Sequence, residues 1–335
     1  MNILFTCAGR RTYLLKYFRD QLAGEGKIIG ADMQMSAPAL SAADIKEVVP
    51  AVYADDYIDQ IINVCKKDQV DVLISLNDLE LPILSAAKER FDEIGVKAVV
   101  SSKRVVDICF DKLKTAEYVS SLGLNTPKTY VDLEQAKIAL QSGDLSFPLV
   151  LKPRWGSGSI GIEFVEDMNE LNSVYDLLMI KVKKSILSKA SGDNNYILIQ
   201  EKICGKEYGL DVMNDLQGNH ISVSVKRKLA MRAGETDKAE TVDIPAVREI
   251  GRIIGENLRH VGNLDMDILE QDCKYYILEL NPRFGGGFPF SYEAGVNLPK
   301  AIIEWAKGNE VDKSILQPEY GKVYAKCDYL VNVTF

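Results

Sequence analysis

Short apolar runs recur along the first hundred residues, and each is followed by a stretch with helical spacing. "NILFTC", "KIIGAD" and "VDVLISL" are nearly continuous in apolar residues, whereas "TYLLKYFRDQLA", "YIDQIINVCKKD" and "LPILSAAKERFDEI" place them three and four apart. Buried strands alternating with helices of this length predict right-handed βαβ units around a parallel sheet. Ligands of such sheets sit beyond the carboxyl ends of the strands. Arg10 and Arg11, after the turn at Gly9, and Asn77, Asp78 and Glu80 occupy two of those ends. The arginines open a helix, where N–H groups and basic side chains hold anions. For Asp78, substrate contact and capping of the next helix stand as equal readings.

From about residue 103 the pattern changes. "VVDICFDKLKTAEYVSSLG" reads as one helix ending at Gly123, and "FPLVLKP" and "GIEFVED" as strands flanking a glycine loop. A helix around 168–190 and the polar break "SGDNN" follow. "YILIQEKICGKEYGLDVM" and "HISVSVKRKLAM" then read as strands, 245–260 as a helix, and "LDMDILEQDCKYYILELNPRF" as a hairpin. Neither an internal repeat nor a low-complexity segment is visible.

Composition narrows the function. The 335 residues allow two or three packed domains, and 47% hydrophobic with 26% charged residues is ordinary for a globular chain. A net charge of −8, from 40 basic and 48 acidic residues, argues against general binding to nucleic acid. Six cysteines are widely separated with no CxxC pair, which predicts free thiols. No stretch approaches the ~18 apolar residues of a membrane span, and the N-terminus runs straight into a strand pattern, so a cytoplasmic protein is expected. Only His220 and His260 are available for histidine catalysis, and His260 closes a helix, where a dipole or surface role is expected.

The sharpest stretch is "PLVLKPRWGSGSIGI" over 148–162. Gly156, Gly158 and Gly161 satisfy GxGxxG, but a dinucleotide fold needs a helix after the loop, and "IEFVED" reads as a strand. A glycine loop between antiparallel strands is instead the geometry of a flap over ATP phosphates. Neither H-R-D, D-F-G nor GxxxxGK[ST] is present, so kinase and P-loop chemistry are excluded. Lys152 ends the strand four residues before Gly156, close enough for its ammonium and the loop N–H groups to share one polyphosphate. Taken alone, the loop also reads as a flexible turn beside a surface lysine.

The last hairpin carries a second signal. Alternation puts Tyr275, Ile277, Glu279 and Asn281 on one face of a strand, and Asp265 and Asp267 on one face of its partner. A three-residue turn within "EQDCK" would set Asp267 beside or nearly beside Glu279. Like charges across a ladder repel, so such a pair makes sense around a divalent cation. Two carboxylates and an amide oxygen, completed by phosphates, suit Mg²⁺, with Mn²⁺ the alternative. A solvated outer face is the competing reading.

"DKLKT", "PLVLKPRWGSGSIGI", "ILIQEKICGKEYGLDV" and "LELNPRFGG", in this order and spacing, resemble the ATP-grasp superfamily and its carbamoyl-phosphate-synthase-like ligases. The resemblance covers essentially the whole chain. It implies an α/β, Rossmann-like pre-ATP-grasp domain over 1–103 and a two-subdomain α+β ATP-grasp fold over 104–335. The small lid subdomain would span about 125–203, and the metal and substrate subdomain about 204–335. Lys112 and Lys152 then resemble the lysines that reach ATP phosphates. Gly156, Ser157, Gly158, Ser159 and Gly161 resemble the phosphate loop, and Gln200, Glu201, Lys202 and Ile203 the linker at the adenine edge. Glu207 resembles the ribose ligand. Asp267, Glu279 and Asn281 resemble the metal ligands, with Asp265 as an alternative to the first. Arg283 resembles the arginine that steadies the transferring phosphate; it and Lys152 are the expected catalytic side chains. Arg10, Asn77, Asp78, Glu80 and Arg227, with Lys228, are candidates for substrate contact. The chain has about the length of one synthetase half and shows no glutaminase segment, so a stand-alone carboxylate–amine ligase using ATP is expected, with small carboxylate and amine substrates and pairing as a homodimer. A non-catalytic nucleotide-binding protein and a nicotinamide-dependent oxidoreductase are the rival readings.

Overall fold

Residues 1–156, 161–190 and 196–333 are described by a computed structural model. The first unit contains β1 (Ile3–Thr6), α1 (Thr12–Leu22), β2 (Ile28–Asp32), β3 (Ile45–Val48), α2 (Tyr57–Lys67), β4 (Val72–Ser75), α3 (Leu81–Ala86), α4 (Lys88–Asp92) and β5 (Lys97–Ala98); the three expected strands are present, β3 and β5 are additional, and the helix expected over 81–94 is two. The strands form an all-parallel sheet in the order β3-β2-β1-β4-β5. Ile3, Phe5, Val72 and Ile74 face one core, and Leu4, Ile29 and Leu73 the other. Both faces are therefore covered, which is why these strands read as unbroken apolar runs.

Next come α5 (Lys103–Phe110), α6 (Lys112–Ser121), β6 (Thr129–Tyr130), α7 (Leu133–Ser142), β7 (Leu149–Pro153), β8 (Glu163–Val165), α8 (Met168–Lys183) and β9 (Ile197–Glu201). The single helix expected across residue 111 is two. Asp111 is extended and caps α6, its carboxylate accepting from Leu113 N at 3.0 Å. β6-β9-β7-β8 make a four-stranded antiparallel sheet, packed by α7 and α8 around Leu149, Leu151, Leu171 and Leu178. The two strands expected to flank the glycine loop are thus present as the antiparallel pair β7 and β8.

The rest of the chain supplies β10 (Lys206–Asn214), β11 (His220–Arg232), β12 (Glu235–Thr241), α9 (Pro245–Leu258), β13 (Gly262–Gln271), β14 (Lys274–Asn281), α10 (Phe288–Glu293), α11 (Leu298–Lys307) and β15 (Val323–Ala325). These strands form an antiparallel sheet ordered β14-β13-β10-β11-β12-β15. One face packs Tyr208, Leu210, Val225, Leu264, Met266 and Ile277 against α5, α6 and α9. The opposite face is polar and carries the site. One core runs from Phe5 and Phe18 of the first unit to Met213, Phe284, Phe288 and Ile302, so the parallel sheet and the C-terminal helices are packed as one body.

His260 corrects its expected surface role. It lies past the end of α9, fully buried, with Nε2 bonded to Val212 O at 2.9 Å. Burial pushes its imidazole down to about 3. The hairpin is also corrected in detail. Its turn is two residues, Asp272 and Cys273, at φ +51° and +59°, and Leu278 is an extra residue opposite the Asp267–Ile268 step. This bulge puts Tyr275 and Ile277 on the packed side and leaves Glu279 and Asn281 on the polar face.

Candidate active site

A cleft of about 1050 Å³ lies between the four-stranded sheet and the polar face of the six-stranded one. Its inner walls are apolar: Val150, Ile162, Phe164, Leu178 and Leu187 from the small unit, Leu269 and Leu278 from β13 and β14. Gln200, Glu201, Lys202 and Ile203 form one edge. The Gln200 amide donates to Thr129 Oγ1 at 2.6 Å, and the Lys202 ammonium lies 4.7 Å over the Phe164 ring. A flat heteroaromatic ligand fits such a slot, with apolar faces and a strand edge for its polar rim.

The other end is charged. Lys152 comes from β7, and Lys112 from the first turn of α6, where its ammonium bonds Gly156 O and lies 4.0 Å from Glu279 Oε2. Asp111, just before Lys112, holds Arg154 in a buried bidentate pair at 2.7 and 2.8 Å, which fixes the start of α6 against the end of β7. Burial, with Lys112 nearby, pushes the Lys152 ammonium down to about 8, although Glu279 and Asp267 oppose the shift. Gly156 and Gly161 line the cleft at φ +99° and +73°, a backbone that favours glycine. Ser157, Gly158 and Ser159 lie outside the described residues.

Asp267 and Glu279 are direct cross-strand partners. Lys228 Nζ bridges Asp267 Oδ1 and Glu207 Oε1, each at 2.7 Å. Burial pushes the Asp267 carboxyl up to about 7; Lys228 resists, and Asp265, Glu279 and Glu207 add to the rise. Asn281 donates to Glu279 Oε1 at 3.2 Å. Among the described residues no three His, Cys, Asp or Glu side chains form a protein-only metal cage. Two facing carboxylates and an amide oxygen fit a hard dication that takes its remaining ligands from phosphate, and added positive charge would relieve the repulsion felt at Asp267. Asp265, the alternative ligand, is bound by Arg283 Nη1 at 2.7 Å.

Arg283 is buried between Asp265 and Asp78, the latter at 2.9 Å from Nη2. Burial disfavours its charge, but Asp78 and Asp265 hold the guanidinium above its ordinary range. Asp78 is therefore neither a helix cap nor a free contact; it ties the parallel sheet to the arginine. Glu80 is corrected outright. It is fully buried, accepting from Thr6 Oγ1, Tyr57 OH and Ser75 Oγ, and no ligand reaches it. Arg227 is a second correction: strand alternation turns it to the packed face, where it pairs with Glu240, while Lys226 and Lys228 face the site. Asn77 lines the cleft, and Arg10 is exposed at the start of α1, outside it. Asp111 and Arg154 escaped the sequence reading, although an Asp directly before "KLKT" is a helix-start signal.

Two family models match the chain: the PylC-like N-terminal domain over residues 3–99, and an ATP-grasp described as belonging to the biosynthetic pathway with Ter operon over 193–327. The carbamoyl phosphate synthase large chain of Campylobacter jejuni is 26% identical over 233 residues, covering 66% of this chain and 20% of that protein. The chain thus matches about a fifth of that relative's length. A Campylobacter jejuni biotin carboxylase solved with β,γ-ATP superposes with a TM-score of 0.74 at 18% identity, over 95% of this chain and 73% of the other. The biotin carboxylase domain of Hydrogenobacter thermophilus 2-oxoglutarate carboxylase, solved with MgADP, ADP and bicarbonate, gives 0.75 at 17%, over 95% and 72%. Over residues 193–327 the chain thus carries a domain matched by an ATP-grasp family model, and its parallel N-terminal sheet and two antiparallel sheets have the fold of these solved structures.

Proposed function

We propose that this chain is an ATP- and Mg²⁺-dependent carboxylate–amine ligase that works through an acyl phosphate on a small carboxylate such as an amino acid. The observation that carries this reading is the polarity of the cleft: an apolar slot at one end, and two lysines facing a carboxylate pair at the other. Gln200 to Ile203 would meet the adenine rim and Glu207 the ribose hydroxyls. Lys112 and Lys152 would hold phosphate oxygens, with Gly156 and Gly161 letting the loop backbone approach them. Asp267, Glu279 and Asn281 would hold Mg²⁺, which when bound offsets charge on the triphosphate.

A carboxylate is a poor electrophile. Attack of its oxygen on the γ-phosphorus gives an acyl phosphate and ADP; an amine then attacks the carbonyl carbon, and phosphate leaves. Arg283, kept in place by Asp78 and Asp265, supplies a preorganised cation for the transferring group. This route needs no protein nucleophile, in keeping with a buried His260.

The test is a phosphate-release screen with Mg²⁺ and ATP against pooled amino acids and small carboxylates, followed by mass spectrometry of the product. Wild type is expected to form ADP with at least one pool. Glu279→Ala should lose about a hundredfold or more in kcat/KM with an unchanged melting temperature. ADP formation from no pool, or full activity in Glu279→Ala, overturns the proposal.

A further inference from the structure

Beneath the charged end of the cleft, the six-stranded sheet is built around a missing side chain. β10 lies between β11 and β13, so residues of those two strands are separated by two inter-strand spacings, about 9–10 Å. Lys228 of β11 nevertheless reaches Asp267 of β13 at 2.7 Å. It does so over Gly209, the residue of β10 that pairs with Asp267. A Cβ at Gly209 would lie 3.2 Å from Lys228 Cε and 3.7 Å from Asp267 Oδ1, so the bare backbone forms a trough for the lysine chain. Gly209 has no positive φ; the glycine supplies space here, not an unusual backbone.

The same ammonium holds Glu207 Oε1, also at 2.7 Å. Glu207 and Asp267 line the cleft and Lys228 does not. Its side chain is 7% exposed, against 31% for Glu207 and 20% for Asp267. One oxygen of each carboxylate is thus turned down to the lysine, and a ligand entering the cleft meets the acids before it meets the cation. Among the described residues no other cation pairs with either acid.

We propose that Lys228 is a positioning residue that couples the two ends of the nucleotide site: sharing one ammonium between Glu207 and Asp267, it leaves each acid a single accessible oxygen and offsets their charge before a metal arrives. The proposal rests on the ligase reading for the ribose role of Glu207 and the metal role of Asp267. To that reading it adds a fixed cation below the site that acts through the acids. Its consequence has a sign. A cation at this place disfavours a dication bound alone and favours a polyphosphate bound alone. Damage to the fold would weaken both.

Calorimetry with ADP in the presence of EDTA, and water-proton relaxation with Mn²⁺ alone, read the two affinities on the full chain without turnover. Lys228→Met should bind ADP about tenfold more weakly and Mn²⁺ about tenfold more tightly than wild type, and Lys228→Arg, which keeps the charge, should stay closer to wild type in both. Gly209→Val tests the trough with every charge kept. It should displace the lysine from Asp267 and raise Mn²⁺ affinity severalfold, and it carries the test should Lys228→Met fail to fold. Unchanged Mn²⁺ affinity in both variants, or a fall in the two affinities together, overturns the proposal. The phosphate-release screen separates it from the ligase reading. Opposite shifts in a chain that forms no ADP retire the ligase reading alone, and ADP formation by a chain whose Mn²⁺ affinity is indifferent to Lys228 retires the coupling alone.

Discussion

Lys152 ends a strand in one sheet and meets carboxylates carried by another. Its ammonium is held down to about 8 because burial and Lys112 together outweigh Glu279 and Asp267. Adding a polyphosphate reverses that balance. At pH 8 about half the free protein carries the proton, and nearly all of the complex should, so binding ADP without metal is expected to take up about half a proton. Calorimetry in buffers of different ionisation enthalpy measures this uptake, and Lys152→Met should abolish it. The lysine, the glycines and the acids were legible because each is a residue type with one strong chemical use, set in an unusual local context. The clamp of Asp78 on Arg283 was not, because the two residues are 205 positions apart and share no local signature.

The elements show how local chemistry overrode pattern. The periodicity across 103–121 is continuous, yet Asp111 breaks it, capping α6 and pairing with Arg154. One residue therefore ends a helix, starts another and aims Lys112 at Gly156. Asp111→Ala removes a cap and half of a buried bidentate pair, and about 3–5 kcal/mol of stability should go with it. Urea denaturation measures the loss, with Asp111→Asn, which keeps the cap, intermediate. In the β13–β14 hairpin the expected facing of Asp267 and Glu279 is present through a different device. The turn is a residue shorter than expected and the Leu278 bulge supplies the difference. Asp272-Cys273 is a left-handed pair without the glycine that usually announces such a turn, so its length was not readable.

At the scale of the molecule, the parallel sheet and the antiparallel sheet share a core, and Asp78 and Arg283 join them at the site. His260, buried next to Val212, ties that architecture to pH. The unfolded chain binds a proton near pH 6.5 that the native chain refuses until about 3. Stability should therefore fall as pH drops through this window, by about 1.4 kcal/mol per unit from this group in the steep part. His260→Gln, which keeps a donor for Val212 O, should flatten the acid limb of a denaturation series by that slope. The sequence by itself determined the strand–helix alternation of the first unit, the glycine loop between two strands and the acidic hairpin. These depend on hydrophobic period and on residue types that short-range sterics and charge place locally. Only the tertiary structure decided that Glu80 and His260 are sealed in cores, that Arg227 turns from the site while Lys228 faces it, and that Arg283 is clamped by Asp78. Burial and ion pairing are set by which surfaces meet across the fold, and no window of neighbouring residues contains that information.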